Sequence, residues 1–254
     1  MKQILLLSLM LLGALGGCNG DDEKDNTNRN PENPNNGGTV TSSDVTRGLL
    51  GYFTFDDGTT SNVKDATNNG KLKGENSTYI TDTPNGKGKA LALANKEYVL
   101  IPQNVLEGAS AFSISMWVKD FGSGPLFVST FSDDTFNGSP RLFIDESNYF
   151  VADGTEEIFD TAIPFKVEAT NYQSSGWHMV TVVFTNKSNT LYIDGSVAGS
   201  VTYSEKTRGH GKVTTIGGVA KNLWNNSMKV DNVRIYGVAL TDKEIASLYM
   251  YEKL

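Results

Sequence analysis

Apolar and polar residues alternate most regularly over residues 177–201, and this stretch predicts a three-stranded meander. The first strand keeps a period of two from Val180 to Phe184, and a polar turn at 186–189 separates it from a second strand at 191–193. Asp194-Gly195 then favours a type I′ turn, because both central residues of that turn need a positive φ. A meander cannot bury its apolar face alone, so the rest of the domain should supply a second sheet.

Similar runs along the rest of the chain predict further strands. They cover residues 49–55, 90–93, 98–101, 112–119, 126–130, 141–145, 149–152, 213–217 and 228–236. The runs 90–93 and 98–101 are expected to form a hairpin. The clean alternation in 112–119 predicts one core face and one solvent-exposed face.

The period changes near the C-terminus, where one short helix is predicted from residue 242 to about 252. Thr241 and Glu244 have the spacing of a capping box, and Ile245, Leu248 and Tyr249 repeat at helical spacing. Many short strands followed by one terminal helix predict an all-β fold, a two-sheet antiparallel sandwich.

Composition narrows the possible functions. The chain has 254 residues, 38% of them hydrophobic, which is enough for one large β domain. A net charge of −7 and a pI near 4.9 argue against nucleic-acid binding, since phosphate binding needs a clustered basic face. One cysteine cannot form an internal disulfide, and two histidines do not make a Cys/His zinc site.

The N-terminus has the pattern of a lipoprotein signal peptide over residues 1–17. Lys2 precedes an apolar run at 4–15, and the run ends in "LGGC", which resembles a bacterial lipobox. Cys18 would then be the lipidated residue, with palmitate as the expected acyl chain, and would hold the protein on a membrane. An ordinary signal followed by a chance cysteine is the alternative.

Residues 18–46 are predicted to be a flexible tether, because they are rich in Asn and acidic residues and nearly free of apolar ones. The acidic cluster that begins at Asp21 resembles the export signal of Bacteroidetes surface lipoproteins. It implies an outer-membrane lipoprotein exposed at the cell surface, unless the cluster is only a solvated charge run. The folded domain is expected to occupy residues 47–254.

Several blocks of the folded part occur in an order that resembles a known family. The blocks include "LLGYFTFDDG", "FSISMWVK", "WHMVTVVF", "LYIDGS" and "VDNVRIYGVALTDKEIASLY". Their succession resembles bacterial laminin G-like domains of the concanavalin A-like lectin and glucanase superfamily. The resemblance implies a jelly-roll sandwich with one concave and one convex face.

Glucanases with this fold carry Glu-x-Asp-x-Glu on one strand, which places the acids on one face of the groove. That spacing is absent here. Asp145-Glu146 and Glu156-Glu157 are adjacent pairs, and neighbouring residues of a strand point to opposite faces. The chain is therefore predicted not to be an enzyme, and His178, inside a strand pattern, is expected to be structural.

Asp231 is the best candidate for an ion site. The strand pattern places it on one face with Val233 and Ile235, where a carboxylate is costly unless it is paired or metal-bound. The family resemblance implies a calcium ion between this residue and the loop after the first strand, with Asp56 favoured over Asp57. Alternatively, Asp231 caps backbone amides or pairs with Arg234 or a lysine.

Sugar binding needs exposed aromatic rings and planar polar side chains. Trp117 and Lys119 share a strand face that Arg141 could join, although Trp117 could instead pack under a crossing loop. Trp224, in the polar loop "KNLWNNS", is the other candidate.

These observations favour a surface-anchored carbohydrate-recognition or adhesion module. A protein-binding subunit of a surface assembly is the main alternative, and a glycoside hydrolase with displaced catalytic residues is less favoured. The expected partners are a glycan or a surface protein, and the membrane through the lipid anchor, but not nucleic acid. The sequence leaves the oligomeric state open.

Overall fold

A computed structural model describes residues 45–102, 105–130, 138–153, 163–202, 211–219 and 224–254. The predicted signal peptide, Cys18 and nearly all of the predicted tether lie outside these ranges, as does the pair Glu156-Glu157. The described residues belong to a compact unit that spans Thr39–Leu254. Within them, no helix combines the length and apolar character needed to cross a membrane.

The described chain is built mainly from β-strands. The strands are β1 (Leu49–Phe53), β2 (Lys71–Lys73), β3 (Thr78–Ile80), β4 (Ala90–Leu93), β5 (Tyr98–Ile101), β6 (Phe112–Lys119), β7 (Gly124–Thr130), β8 (Gly138–Ile144), β9 (Tyr149–Asp153), β10 (Ile163–Glu168), β11 (His178–Phe184), β12 (Ser188–Ile193), β13 (Ser196–Thr202), β14 (Val213–Ile216), β15 (Gly218–Val219), β16 (Trp224–Asn225) and β17 (Met228–Tyr236). Helix α1 follows at Asp242–Lys253.

Most of these strands form two antiparallel sheets. The first sheet has the order β13-β12-β11-β6-β17-β4-β3, with β1 also paired to β17, and the second has the order β10-β9-β8-β7-β14-β5-β2. The core contains side chains from both sheets, such as Val180 and Ile235 from the first and Phe127 and Ile216 from the second. The predicted all-β, two-sheet sandwich with one C-terminal helix is confirmed.

The predicted meander is also confirmed as β11, β12 and β13. Asp194 and Gly195 have φ angles of +51° and +80°, which is the positive pair that a type I′ turn requires. Sequence periodicity and turn chemistry were sufficient here because the pairing partners are adjacent in the chain.

The predicted hairpin of residues 90–93 and 98–101 is wrong. The two strands exist with those bounds, but β4 pairs with β17 in the first sheet, whereas β5 pairs with β14 in the second. The segment between them crosses from one sheet to the other. Lys96 has a φ of +68° there, and the next residue, Glu97, is only 3% exposed.

The alternation in β6 predicted a solvent-exposed outer face, and this prediction is wrong. Ser113, Ser115 and Trp117 on that face are all buried, because α1 packs over the first sheet. The capping box at the start of α1 is confirmed by reciprocal hydrogen bonds between Thr241 and Glu244. A helix distant in sequence therefore converts a polar face into a second apolar layer.

A β-bulge in β17 changes the face on which Asp231 lies. The register with β6 shifts between Asp231 and Arg234, and Asn232 has a φ of +46°. Val230 and Val233 consequently both reach the core. The period of two had predicted that Asp231 and Val233 share a face, and this is wrong. Asp231 instead lies opposite Trp117 on the side of the sheet that the helix covers.

Candidate functional site

A cavity of about 480 Å³ lies between the end of β1, the middle of β17 and the end of α1. Residues that line it include Tyr52, Asp56, Lys87, Asp231, Tyr251 and Glu252. The predicted ion-site residues Asp56 and Asp231 are thus brought together, although 174 intervening positions separate them in the sequence. We refer to this space as the aspartate cavity.

Asp231 is 2% exposed, and its Oδ1 accepts a hydrogen bond of 2.7 Å from the amide of Asn232. The pKa of this carboxyl is raised to about 8, mainly by burial and in smaller part by the nearby carboxylates of Asp56 and Glu252, while the hydrogen bond from Asn232 opposes the rise. Among the described residues no cationic side chain pairs with it. The alternative pairing with Arg234 is wrong, because Arg234 is bonded to Glu252.

Asp56 enters the cavity from the loop after β1. Its Oδ1 accepts a hydrogen bond of 3.0 Å from the amide of Lys89. A Cβ at Gly88 would lie 1.7 Å from the same oxygen, so this carboxylate position requires glycine there. Asp57 instead caps its own loop by accepting bonds from the amide and hydroxyl of Thr59.

The aspartate cavity has the donor chemistry of a hard-cation site. Asp56 and Asp231 both face it, and a divalent cation would stabilise the ionised form of Asp231, which burial disfavours. The described residues contain no group of three or more His, Cys, Asp or Glu side chains placed to hold a metal. Backbone carbonyls and water would have to complete the shell, as calcium permits.

Glu252 lines the cavity but is already paired. Its carboxylate lies 2.5 Å from Nε of Arg234 and accepts a bond of 2.8 Å from Nε1 of Trp117. The Arg234 guanidinium lies over the Tyr52 ring, with 3.6 Å between Cζ and the ring centroid. This buried network joins α1 to β6 and β17, and sequence reasoning missed it because its members come from separate elements.

Trp117 belongs to this network and is not an accessible sugar platform. It is 2% exposed, and its ring stacks on Tyr249 of α1 with 5.6 Å between centroids. The alternative was that Trp117 packs under a crossing loop. Trp117 is indeed covered, but by helix α1 and not by a loop.

Lys119 is engaged in a surface ion-pair network. Its Nζ lies 2.8 Å from Asp82, which also bonds Lys229 at 3.0 Å and Nε1 of Trp177 at 3.0 Å. The hydrogen bond from Lys119 is the main cause that lowers the pKa of Asp82 to about 2. Arg141 cannot join Lys119, because it lies in β8 of the other sheet.

Arg141 and Trp224, the two remaining sugar-site candidates, do come together. Trp224 is half-buried and packs edge-on against Phe143, with 5.0 Å between ring centroids. Arg141 is 5% exposed, and its Cζ lies 5.3 Å from the Phe143 centroid and 5.8 Å from that of Trp224. These three residues are called the aromatic–arginine cluster. The sequence analysis missed Phe143, although residues i and i+2 of a strand lie on the same face, so the strand pattern placed Phe143 beside Arg141.

The short hairpin of β15 and β16 holds Trp224 against the second sheet. Trp224 pairs with Val219, and both pack on Val128 of β7. The Asn226 side chain fixes the hairpin by bonding the carbonyl of Gly122 at 2.9 Å and accepting from its amide at 2.8 Å. Strand pairing, packing on Val128 and the hydrogen bonds of Asn226 therefore position the Trp224 ring.

His178 ties the start of β11 to the turn between β12 and β13. Its Nδ1 lies 2.7 Å from Asp194 and its Nε2 lies 2.8 Å from Ser175 Oγ. The hydroxyl of Ser175 donates to the carbonyl of Asn171 at 3.1 Å, and Asp194 also accepts from the amide of Met179. These contacts join neighbouring backbone segments.

The fold has recognisable relatives. The family model Laminin_G_3, described as the concanavalin A-like lectin/glucanases superfamily, matches residues 93–246. No curated protein matches the chain.

Several solved structures share the fold. Domain 4 of AbnA, a GH43 extracellular arabinanase from Geobacillus stearothermophilus solved with arabinotriose, is 20% identical, with a TM-score of 0.60 over 79% of this chain and 98% of that one. The binding domain of botulinum neurotoxin DC with SialylT is 19% identical, with a TM-score of 0.62 over 80% and 51%. The same toxin domain with rat synaptotagmin II is 18% identical, with a TM-score of 0.61 over 80% and 51%. The chain thus spans about half of each toxin structure.

Proposed function

Because the chain belongs to the concanavalin A-like lectin/glucanases superfamily, we propose that it is a non-catalytic module that binds carbohydrate. The observation that carries this proposal is the aromatic–arginine cluster on the second sheet. Trp224 is held in one orientation and remains partly accessible, which is the arrangement that stacks on the apolar face of a sugar ring.

The members of the cluster have different roles in this proposal. The Trp224 ring contacts the sugar, and Phe143 supports it from the edge. Arg141 is too deeply buried to reach far into a ligand, so its guanidinium fixes the two rings through cation–π contacts. The arabinanase domain and one toxin structure were solved with glycans, which supports the same class of ligand here.

The absence of catalysis is part of the proposal. In the described part of the chain, Asp145 accepts a bond of 2.8 Å from the amide of Tyr149 and so closes the turn between β8 and β9. Glu146 beside it is exposed. Asp145 therefore has a turn-forming role and Glu146 faces solvent, which supports binding without cleavage.

We further propose that the aspartate cavity holds a calcium ion through Asp56 and Asp231. The burial of Asp231, with which no cationic side chain of the described residues pairs, and the glycine-dependent placement of Asp56 support this site. The bound ion would join the loop after β1 to β17, so its role is structural.

Surface attachment is proposed from the sequence. Residues 1–17 would be removed, Cys18 would carry the acyl chains, and residues 18–46 would present the domain outside the outer membrane. Cys18→Ala should abolish palmitate labelling and release the protein from membranes, and intact cells should lose its protease-accessible pool. Labelling that persists in the variant would contradict the anchor.

The binding function is tested on a glycan array with the full chain in EDTA, so that only cation-independent binding is measured. Trp224→Ala should weaken binding at least about tenfold, since truncation of a central binding residue costs about 2 kcal/mol. Val197→Ala, at an exposed apolar position on the first sheet, is the control and should bind normally. Equal glycan binding by wild type, Trp224→Ala and Val197→Ala would overturn this site. A protein partner recovered by cross-linking, without any glycan binding, would favour the protein-binding alternative.

A further inference from the structure

Asn-Gly pairs are among the most chemically labile sites of a protein chain, because glycine leaves the following amide free to attack the asparagine side chain. They occur five times in the sequence, at Asn19, Asn36, Asn69, Asn85 and Asn137. Only the pairs Asn69-Gly70 and Asn85-Gly86 lie wholly within the described residues. Their surroundings differ, and this difference separates their reactivities.

The Asn69-Gly70 pair is held on both sides. The amide of Gly70 donates to the carbonyl of Thr60 at 2.9 Å, and the hydroxyl of Thr60 donates to the Gly70 carbonyl at 2.6 Å. A Cβ at Gly70 would lie 2.7 Å from Cγ1 of Val99. Oδ1 of Asn69 accepts a bond of 2.7 Å from the amide of Asn62. The attacking nitrogen and the attacked side chain are therefore bonded to different partners.

The Asn85-Gly86 pair is held more weakly. Gly86 is exposed, its amide lies 3.4 Å from the carbonyl of Thr83, and a Cβ there would meet nothing within 4 Å. Oδ1 of Asn85 accepts a bond of 3.0 Å from the amide of Lys87, which polarises the carbonyl that is attacked. Nδ2, the leaving group, donates to the carbonyl of Glu252 at 3.3 Å. Gly86 can therefore reach the side chain without displacing a packed neighbour.

We propose that Asn85 is a site of spontaneous deamidation and that the fold protects Asn69 from the same reaction. The Gly86 nitrogen bonds to Cγ of Asn85 and the Cγ–Nδ2 bond breaks, while the proton lost by the Gly86 nitrogen leaves with Nδ2 as ammonia. Water then opens the succinimide at either carbonyl, so that its hydroxyl bonds to the carbonyl carbon and the ring nitrogen regains a proton. The product is aspartate or isoaspartate at position 85, and nothing is oxidised or reduced.

The product should loosen the end of α1. The Asn85 amide donates to the carbonyl of Glu252 in the last turn of the helix, whereas a carboxylate can only accept. Its charge would also lie beside the C-terminal end of the helix, which carries a partial negative charge. The reaction requires no ligand and no ion, so it stands apart from the proposed binding function.

Peptide mapping by mass spectrometry tests the reaction in the full chain. During incubation in mildly alkaline buffer, the peptide with Asn85 should gain about 1 Da at least about tenfold faster than the peptide with Asn69, since the bonds of Gly70 must first open. In urea the two rates should converge, because the fold no longer protects Asn69. Equal rates in the folded protein, or a difference that persists in urea, would overturn the proposal.

Two variants test the consequence for α1 by hydrogen exchange. Asn85→Asp imitates one product, and its last-turn amides should exchange about two- to tenfold faster than those of fresh wild type. The modified fraction of aged wild type should show the same change. Asn85→Gln would have to close a larger ring, so it should stay unmodified and its exchange should not change with age. Unaltered exchange in Asn85→Asp and in aged wild type would contradict the link to the helix.

Discussion

At the residue scale, Glu97 and Glu252 are both almost fully buried, but the protein stabilises them differently. Glu97 accepts hydrogen bonds from the backbone amides of residues 75–77, at 2.7 to 2.8 Å. Glu252 is bonded to Arg234 and Trp117. The first carboxylate organises a crossover between sheets, and the second attaches a helix to one of them.

Glu252→Gln should destabilise the protein by about 3 kcal/mol, because it leaves the Arg234 guanidinium buried without its counterion. The measurement is the urea midpoint at constant m-value. Glu146→Gln, at an exposed position, is the control and should change little. A double variant, Glu252→Leu with Arg234→Met, should recover part of the loss, and a loss equal to the sum of both single variants would contradict the pairing.

Glu97 should make stability depend on acid pH. Burial alone would raise its pKa, but the hydrogen bonds from Ser77, Asn76 and Glu75 outweigh burial and lower it from 4.5 to about 2. The folded pKa lies below the unfolded one, so this stability is present above about pH 4.5 and is lost as pH falls towards 2.

Wild type should therefore lose about 2 kcal/mol more than Glu97→Gln between pH 5 and pH 2. The variant should already be less stable at pH 7, because an amide cannot accept all of the same bonds. Urea titrations across this pH range provide the measurement. Parallel pH profiles for the two proteins would contradict the role of Glu97.

At the element scale, the sequence predicted what depends on neighbours in the chain. The β11–β13 meander and the α1 capping box follow from period, turn chemistry and cap spacing, all of which are local. Pairing of β4 and β5 with distant strands, the bulge at Asn232 and burial of the β6 outer face were not predictable in this way. Each is decided by a partner far along the chain, such as β17 or α1.

The turn at Gly195 packs against helix α1. A comparison of alanine substitutions at Gly195 and Gly86 can distinguish the effect of this contact from the effect of backbone strain. Gly195 and Gly86 have similar φ angles, +80° and +72°. A Cβ at Gly195 would lie 2.9 Å from Cβ of Tyr249, whereas a Cβ at Gly86 would contact nothing within 4 Å.

Gly86→Ala should cost about 1 kcal/mol from the positive φ alone. Gly195→Ala should cost roughly 1–3 kcal/mol more, because the added methyl overpacks the contact with α1. Urea unfolding measures both variants. Hydrogen exchange should show faster exchange of α1 amides only in Gly195→Ala, and equal losses of stability would indicate that the contact does not matter.

At the scale of the whole molecule, the outer faces of the two sheets are covered differently. Helix α1 seals much of the first sheet, while the second sheet holds the aromatic–arginine cluster under a short hairpin. Sequence reasoning placed Trp117, Lys119 and Arg141 together because all lie on polar strand faces. It could not tell that the strands belong to different sheets. It did select Asp56 and Asp231, because each occurs within a family-like block.

Calcium should stabilise the whole domain, since only the folded chain brings Asp56 and Asp231 together. A concentration of about 100 times Kd should add about 2.7 kcal/mol and raise the melting temperature. Asp231→Asn should abolish this increase. Asp57→Asn is the matched control, because Asp57 bonds only within its own loop, and it should respond as wild type does. A melting temperature unaffected by calcium and by chelator would contradict the ion.

The start of the folded domain is fastened to the last strand and the helix. Tyr236 donates to the carbonyl of Val45 at 3.0 Å, and Arg47 bonds both Glu244 and the carbonyl of Ala239. Tension applied through the preceding residues would therefore enter β17 and α1 first. The second sheet would stay outside the direct path of this force, so the proposed binding residue Trp224 would remain in place while the contacts of Val45 and Arg47 bear the load.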